Sequence, residues 1–117
     1  MESLIKNYLF FIPTLTGLIA FVVSIITIFF PPKSINAWYG YRTAKSMQSQ
    51  ETWDFAQKYS SSIMLKSSLL LILLGITGFF IGNIGIGGLA IGMLSMMLMF
   101  IYTIIRTEKE LSVRFFR

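Results

Sequence analysis

The sequence predicts an all-α integral membrane protein with three transmembrane helices and an interfacial cytoplasmic loop and helix between the first and the second. Two observations carry this. Hydrophobic residues make up 55% of the chain and charged residues only 13%, about half the usual charged share. The apolar residues also come in unbroken runs, separated by one polar stretch and one glycine-rich stretch. The length of 117 residues suits one domain. Its expected parts are spans at 8–30, 63–82 and 88–105, an interfacial segment at 33–62 and a cytoplasmic tail at 106–117.

The first span, Tyr8 to Phe30, contains no charged residue. At about 1.5 Å rise per residue it is long enough for a hydrocarbon core of about 30 Å. Lys6 could serve the basic region of a cleaved signal peptide. The apolar run exceeds a usual signal core, however, and no Ala-x-Ala-like site follows it, so retention is the reading. Pro13 removes one backbone hydrogen bond near the start, which membrane helices tolerate when neighbours satisfy the freed group. Pro31 and Pro32 end the helix, since neither can donate and each disfavours helix in the residue before it.

The polar stretch that follows carries Trp38, Tyr39, Tyr41 and Trp53, amphipathic rings suited to a membrane–water interface and foreign to a solvated linker. Ser49 reads as a helix N-cap, with Glu51 in the first turn where a carboxylate suits the dipole. Asp54 and Lys58 stand at i and i+4. No Pro or Gly interrupts the chain from there to Gly75, so the helix is expected to run on into the second span, with Lys66 snorkelling toward the interface. Trp53, Ala56, Gln57 and Ser60 share one face, expected to pack on the bundle or on the segment from Gly40 to Thr43.

The uncharged stretch from Ser67 to Ile105 would be roughly 58 Å long as one helix, nearly twice one crossing. It must fold back, and the turn belongs between Gly82 and Gly88, where glycines and Asn83 meet the need for unusual backbone dihedrals. Small residues mark the faces expected to touch: Gly17, Ala20, Ser24 and Thr27 on the first helix, Gly75, Gly78 and Gly82 on the second, Gly88, Gly92 and Ser95 on the third. Packing within the chain is the plainer use of these stripes, and a homo-oligomer through them is the other. Met93, Met96, Met97 and Met99 read as flexible apolar filler. In the tail, Leu111, Val113, Phe115 and Phe116 are placed to dip into the interface.

One pattern within the polar stretch is specific. Asn36, then Tyr39-Gly40-Tyr41-Arg42-Thr43, then Ser46, then Glu51-Thr52-Trp53 resembles the signature of the SdpI family of small bacterial membrane proteins. Ala44 stands where many members have Pro, and Gln57 stands where an Asn commonly follows the Trp, preserving the amide. The resemblance implies a bacterial cell-membrane protein for immunity to a secreted peptide toxin, or for sensing it and relaying its presence to a membrane-associated regulator.

Arg42 is the sharpest candidate for chemistry, because a planar guanidinium beside aromatics can hold a phosphate, a carboxylate or a peptide C-terminus bidentately. Glu51 is its expected partner, with Asn36, Thr43 and Gln57 supplying further hydrogen bonds. Two readings stay open: the group binds a ligand, or an Arg42–Glu51 pair pins the loop and positions Trp53 as an anchor.

Other classes are poorly supplied. With no Cys and no His, thiol and imidazole chemistry and the commonest metal ligands are missing, and neither an enzyme, a cofactor nor a metal is expected. The net charge of +5 comes from basic residues flanking apolar spans, where topology and anionic lipid explain it without nucleic acid. An exporter would want an acid inside a span, and none is present. A membrane scaffold or lipid-associated partner protein is the alternative. Lys6 alone lies on one side of the expected bundle, against Lys33, Arg42, Lys45, Lys58, Lys66, Arg106, Lys109, Arg114 and Arg117 on the other. By the positive-inside rule the loop and C-terminus are cytoplasmic and the N-terminus is outside.

Overall fold

The computed structural model describes residues 2–116 as an all-helical chain; Arg117, one of the basic residues counted above, lies outside them. The elements are α1 (Glu2–Lys6), α2 (Tyr8–Phe29), α3 (Gln50–Ile81) and α4 (Ile86–Phe115). α1 is a single exposed turn with a Glu2–Lys6 ion pair of 3.3 Å. The other three are each long and apolar enough to cross a membrane. Their large side chains point mostly outward, among them Phe29, Leu70, Phe80 and Leu98, which suits a lipid solvent as it would not suit water.

α2 begins at Asn7, whose side chain accepts from the Phe10 N–H at 3.4 Å and donates through Nδ2 to the Gly78 carbonyl at 3.1 Å. Pro13, buried inside α2, offers no N–H to the Leu9 carbonyl. α3 packs tightly at this point: a Cβ on Gly78 would lie 2.6 Å from that carbonyl. Gly75 likewise faces Thr14, Gly17 faces Ile72, and Gly92 faces Ile12, so these glycine faces are taken up within the chain. Ala20, Leu71 and Met99 form the small apolar core with Met64 against it, and Met93 and Met97 face outward. Between α2 and α3 the hydroxyls of Thr27 and Ser61 meet at 2.7 Å.

The turn between α3 and α4 uses positive φ at Gly82 (90°) and Gly85 (69°), with the Asn83 side chain accepting from the Gly85 N–H at 2.8 Å. α4 therefore starts at Ile86, slightly before the expected 88, and does not stop at 105. It continues as helix to Phe115, so the expected separate tail at 106–117 is, through Phe115, the end of the third long helix.

The helix lengths decide where the polar stretch sits. α2, with 22 residues, is about 33 Å long and matches the hydrocarbon thickness. α3 and α4, with 32 and 30 residues, are about 48 and 45 Å and overreach it. Asn7 on Gly78 fixes one end of the bundle, and contacts from Tyr41 to Glu108 and from Lys45 to Ser112 fix the other. The overhanging N-terminal turns of α3, the C-terminal turns of α4 and the connecting loop thus form a head at one end.

Candidate functional site

The head is built from α3 outward. Ser49 caps the helix: its hydroxyl accepts from the Thr52 N–H at 3.2 Å, and Thr52 Oγ1 accepts from the Ser49 N–H at 3.0 Å, closing a reciprocal box. The face read from the 3.6-residue period is the buried one, with Trp53 and Ala56 at 0% exposure and Gln57 and Ser60 buried beside them. Trp53 is therefore not a ring at the interface. Its indole N–H donates to the Pro32 carbonyl at 2.7 Å, tying the chain just past α2 to the first turn of α3.

Gln57 receives the loop. Its Oε1 accepts from the Tyr41 N–H at 2.6 Å and its Nε2 donates to the Tyr41 carbonyl at 2.7 Å, the pair of bonds a neighbouring β-strand would supply. Gly40 makes room for this contact. It has φ +105°, and a Cβ there would lie 2.5 Å from Gln57 Oε1 and 2.7 Å from Pro32 Cγ.

The remaining motif residues shape the loop. Asn36 Oδ1 accepts from the N–H groups of Trp38 (2.8 Å) and Tyr39 (2.7 Å), an Asx-type turn. The Tyr39 hydroxyl donates to the Phe30 carbonyl at 2.6 Å. Buried Ser46 accepts from the Thr43 N–H at 2.7 Å, and its own N–H donates to Thr43 Oγ1 at 3.2 Å. The Ser46 carbonyl takes the Thr52 hydroxyl at 3.1 Å, joining this turn to the helix cap.

α4 closes the head from the side. The Tyr41 hydroxyl donates to Glu108 Oε1 at 3.0 Å, and Lys45 Nζ to Ser112 Oγ. Phe55 packs edge-on against Phe115 at 5.7 Å between centroids, with the Arg114 guanidinium 4.7 Å from the Phe55 centroid. Burial, and after it the charge and hydrogen bond of Glu108, hold the Tyr41 hydroxyl well above the usual phenol range, against a smaller opposing hydrogen bond with Thr43. The alternation of residues 106–116 gave no sign of these partners. The lack of any Pro or Gly after Gly92 was the available signal that α4 continues.

The expected Arg42–Glu51 pair is not formed. Among the described residues the ion pairs are Glu2–Lys6 and Glu110–Arg114. Arg42 is exposed and donates to the Ala37 carbonyl, and Glu51 is exposed on the first turn of α3. Nor do Asn36, Thr43 and Gln57 converge on Arg42, since each is engaged with backbone or neighbouring side chains of the loop. Asp54 accepts from Gln50 Nε2 at 2.8 Å instead of pairing with Lys58. Ion pairs between exposed side chains are weak, and local hydrogen bonds outcompete them here.

The motif thus divides in two. Asn36, Tyr39, Gly40, Tyr41, Thr43, Ser46, Trp53 and Gln57 hold the head together, and Arg42 and Glu51 are left on its outside with Trp38, which is 88% exposed. Beneath the loop a cavity of about 250 Å³ opens between Tyr39, Gln57, Ser60 and Thr103.

A sequence model described as the SdpI/YfhL protein family matches residues 33–103, which takes in most of the loop, α3 and more than half of α4. The protein YfhL of Bacillus subtilis (strain 168) is 42% identical over 66 residues, an alignment covering 53% of this chain and 60% of that relative's length. No solved structure matches the chain.

Proposed function

The chain belongs to the SdpI/YfhL protein family, and on that premise we propose that it protects a bacterial cell membrane against a membrane-active peptide toxin, or senses one, through the outer surface of the head. On this reading the protein is a non-catalytic binding component, with loop and C-terminus cytoplasmic and N-terminus outside. The excess of basic residues at the head end of the bundle supports that orientation.

One observation carries the proposal. The buried side of the loop is fully engaged in holding its shape, while a guanidinium, a carboxylate and an indole are held outward on that fixed frame. A rigid frame with Arg and Trp exposed is what a recognition surface requires, because these side chains dominate binding when their surroundings are already ordered. The partner is the toxin at the inner leaflet or a membrane-associated regulator that reports it.

The test is protection of a toxin-sensitive host by expressed protein, with membrane abundance measured in parallel. Arg42→Ala and Trp38→Ala are expected to abolish protection at unchanged abundance. Loss of abundance would favour the scaffold reading, in which Arg42 acts by fastening the loop to the Ala37 carbonyl. Full protection by both variants would refute the surface.

A further inference from the structure

Away from the loop, α3 and α4 line a groove of about 680 Å³. Tyr59 of α3 and Tyr102 and Arg106 of α4 line its head end, Lys66 stands about midway along the α3 wall, and Leu70, Leu74 and Leu98 line the part beyond, with Ser95 among them. From Lys66 to Leu74 is about 12 Å along the helix, close to the depth of one leaflet of a hydrocarbon core about 30 Å thick.

The carboxylates beside Arg106 are engaged elsewhere, Glu108 with the Tyr41 hydroxyl and Glu110 with Arg114. Lys66 and Arg106 make no ion pair among the described residues. The Arg106 guanidinium donates to the Tyr59 hydroxyl at 3.4 Å, and its Nε is buried with no hydrogen-bond partner. Buried donors nearly always find partners, and a partly exposed guanidinium on the wall of a groove, with one long hydrogen bond, keeps further N–H groups for an acceptor placed there. Two cations above an apolar channel of leaflet depth complement one kind of molecule, an anionic amphiphile with its charge at the interface and its chain in the hydrocarbon.

We propose that the α3–α4 groove binds a single anionic phospholipid, its phosphate held by Arg106 and Lys66 and one acyl chain lying along Leu70, Leu74 and Leu98. This site is separate from the outer surface of the head and does not depend on that surface engaging a toxin.

The test is native mass spectrometry of the full chain from nonionic detergent, with phosphatidylglycerol and phosphatidylcholine of identical acyl chains in competition. Two phosphate-facing cations should favour the anionic lipid by about thirtyfold. The double variant Arg106→Gln with Lys66→Gln should lose that preference. Lys58→Gln with Lys109→Gln, of equal net charge, should keep it. Ser95→Phe, which fills the groove without changing charge, should abolish retention of both lipids, and it decides the matter if the double variant fails to fold by circular dichroism. Equal retention of the two lipids by the parent protein, equal loss in both double variants, or displacement of the phosphatidylglycerol by excess inorganic phosphate would each overturn the proposal.

Discussion

Gln57→Ala tests the way the loop is held. The substitution removes both bonds to the Tyr41 backbone, at 2.6 and 2.7 Å. The Tyr41 carbonyl retains the Ser46 hydroxyl at 3.2 Å, but the Tyr41 N–H is left without a partner. Two net hydrogen bonds at about 1 kcal/mol each, with part of the penalty for an orphaned donor, give about 2–3 kcal/mol. That loss should fall on local opening of the loop rather than on the bundle, because the glycine contacts of α2 with α3, from Gly17 on Ile72 to Gly78 on Leu9, lie beyond the head. Trypsin cleavage after Arg42 in detergent reads the opening directly, since cleavage follows the open population when closing is fast. A change of 2–3 kcal/mol should speed it about 30- to 150-fold. Gln57→Glu should also cleave faster than the parent, because a carboxylate can accept from Tyr41 but cannot donate to its carbonyl. Cleavage of Gln57→Ala within about twofold of the parent would refute the assignment of Gln57 as the clasp.

Three further outcomes follow. Trp53→Phe keeps most of the buried volume but frees the Pro32 carbonyl, so it should cost about 1–3 kcal/mol in unfolding monitored by circular dichroism, and Trp53→Ala about 3–5 kcal/mol. Gly78→Ala places a methyl 2.6 Å from the Leu9 carbonyl and should separate α2 from α3 at a cost of about 1–3 kcal/mol, whereas Gly87→Ala, whose nearest contact would be 3.9 Å, should leave thermal stability unchanged. Because the Tyr41 hydroxyl titrates higher in the folded protein than its ordinary value, its contribution is complete below about pH 10 and is lost as pH rises through the folded value. The parent should therefore show an alkaline loss of loop protection in hydrogen exchange that is blunted in Tyr41→Phe.

Much of this architecture was legible in residue order because its causes are local. Pro31 and Pro32 end one helix, Ser49 starts the next, and Gly82 to Gly85 supply a turn that only particular dihedrals can make. The buried face of Trp53, Ala56, Gln57 and Ser60 follows from helical period alone. What the face meets does not follow from it. Trp53 finds a carbonyl at Pro32, Gln57 finds a backbone at Tyr41, and Tyr41 finds a carboxylate at Glu108 on the last helix. Opposite charge made Arg42 and Glu51 an attractive pair, yet in an exposed setting charge fixes geometry less firmly than backbone hydrogen bonds do, and the two residues stay apart. The motif residues stand together in sequence, and they separate into a holding set and an outward set only once the loop is folded.

The unbroken course of α3 has a mechanical implication. A single stiff member reaches from the loop's clasp at Gln57 to the glycine bend beyond Gly78, with no Pro along it to act as a joint. A tilt imposed at either tip is therefore carried to the opposite one as a lever carries it, so a disturbance on the far face of the bilayer would be felt at Tyr41 without anything crossing between them.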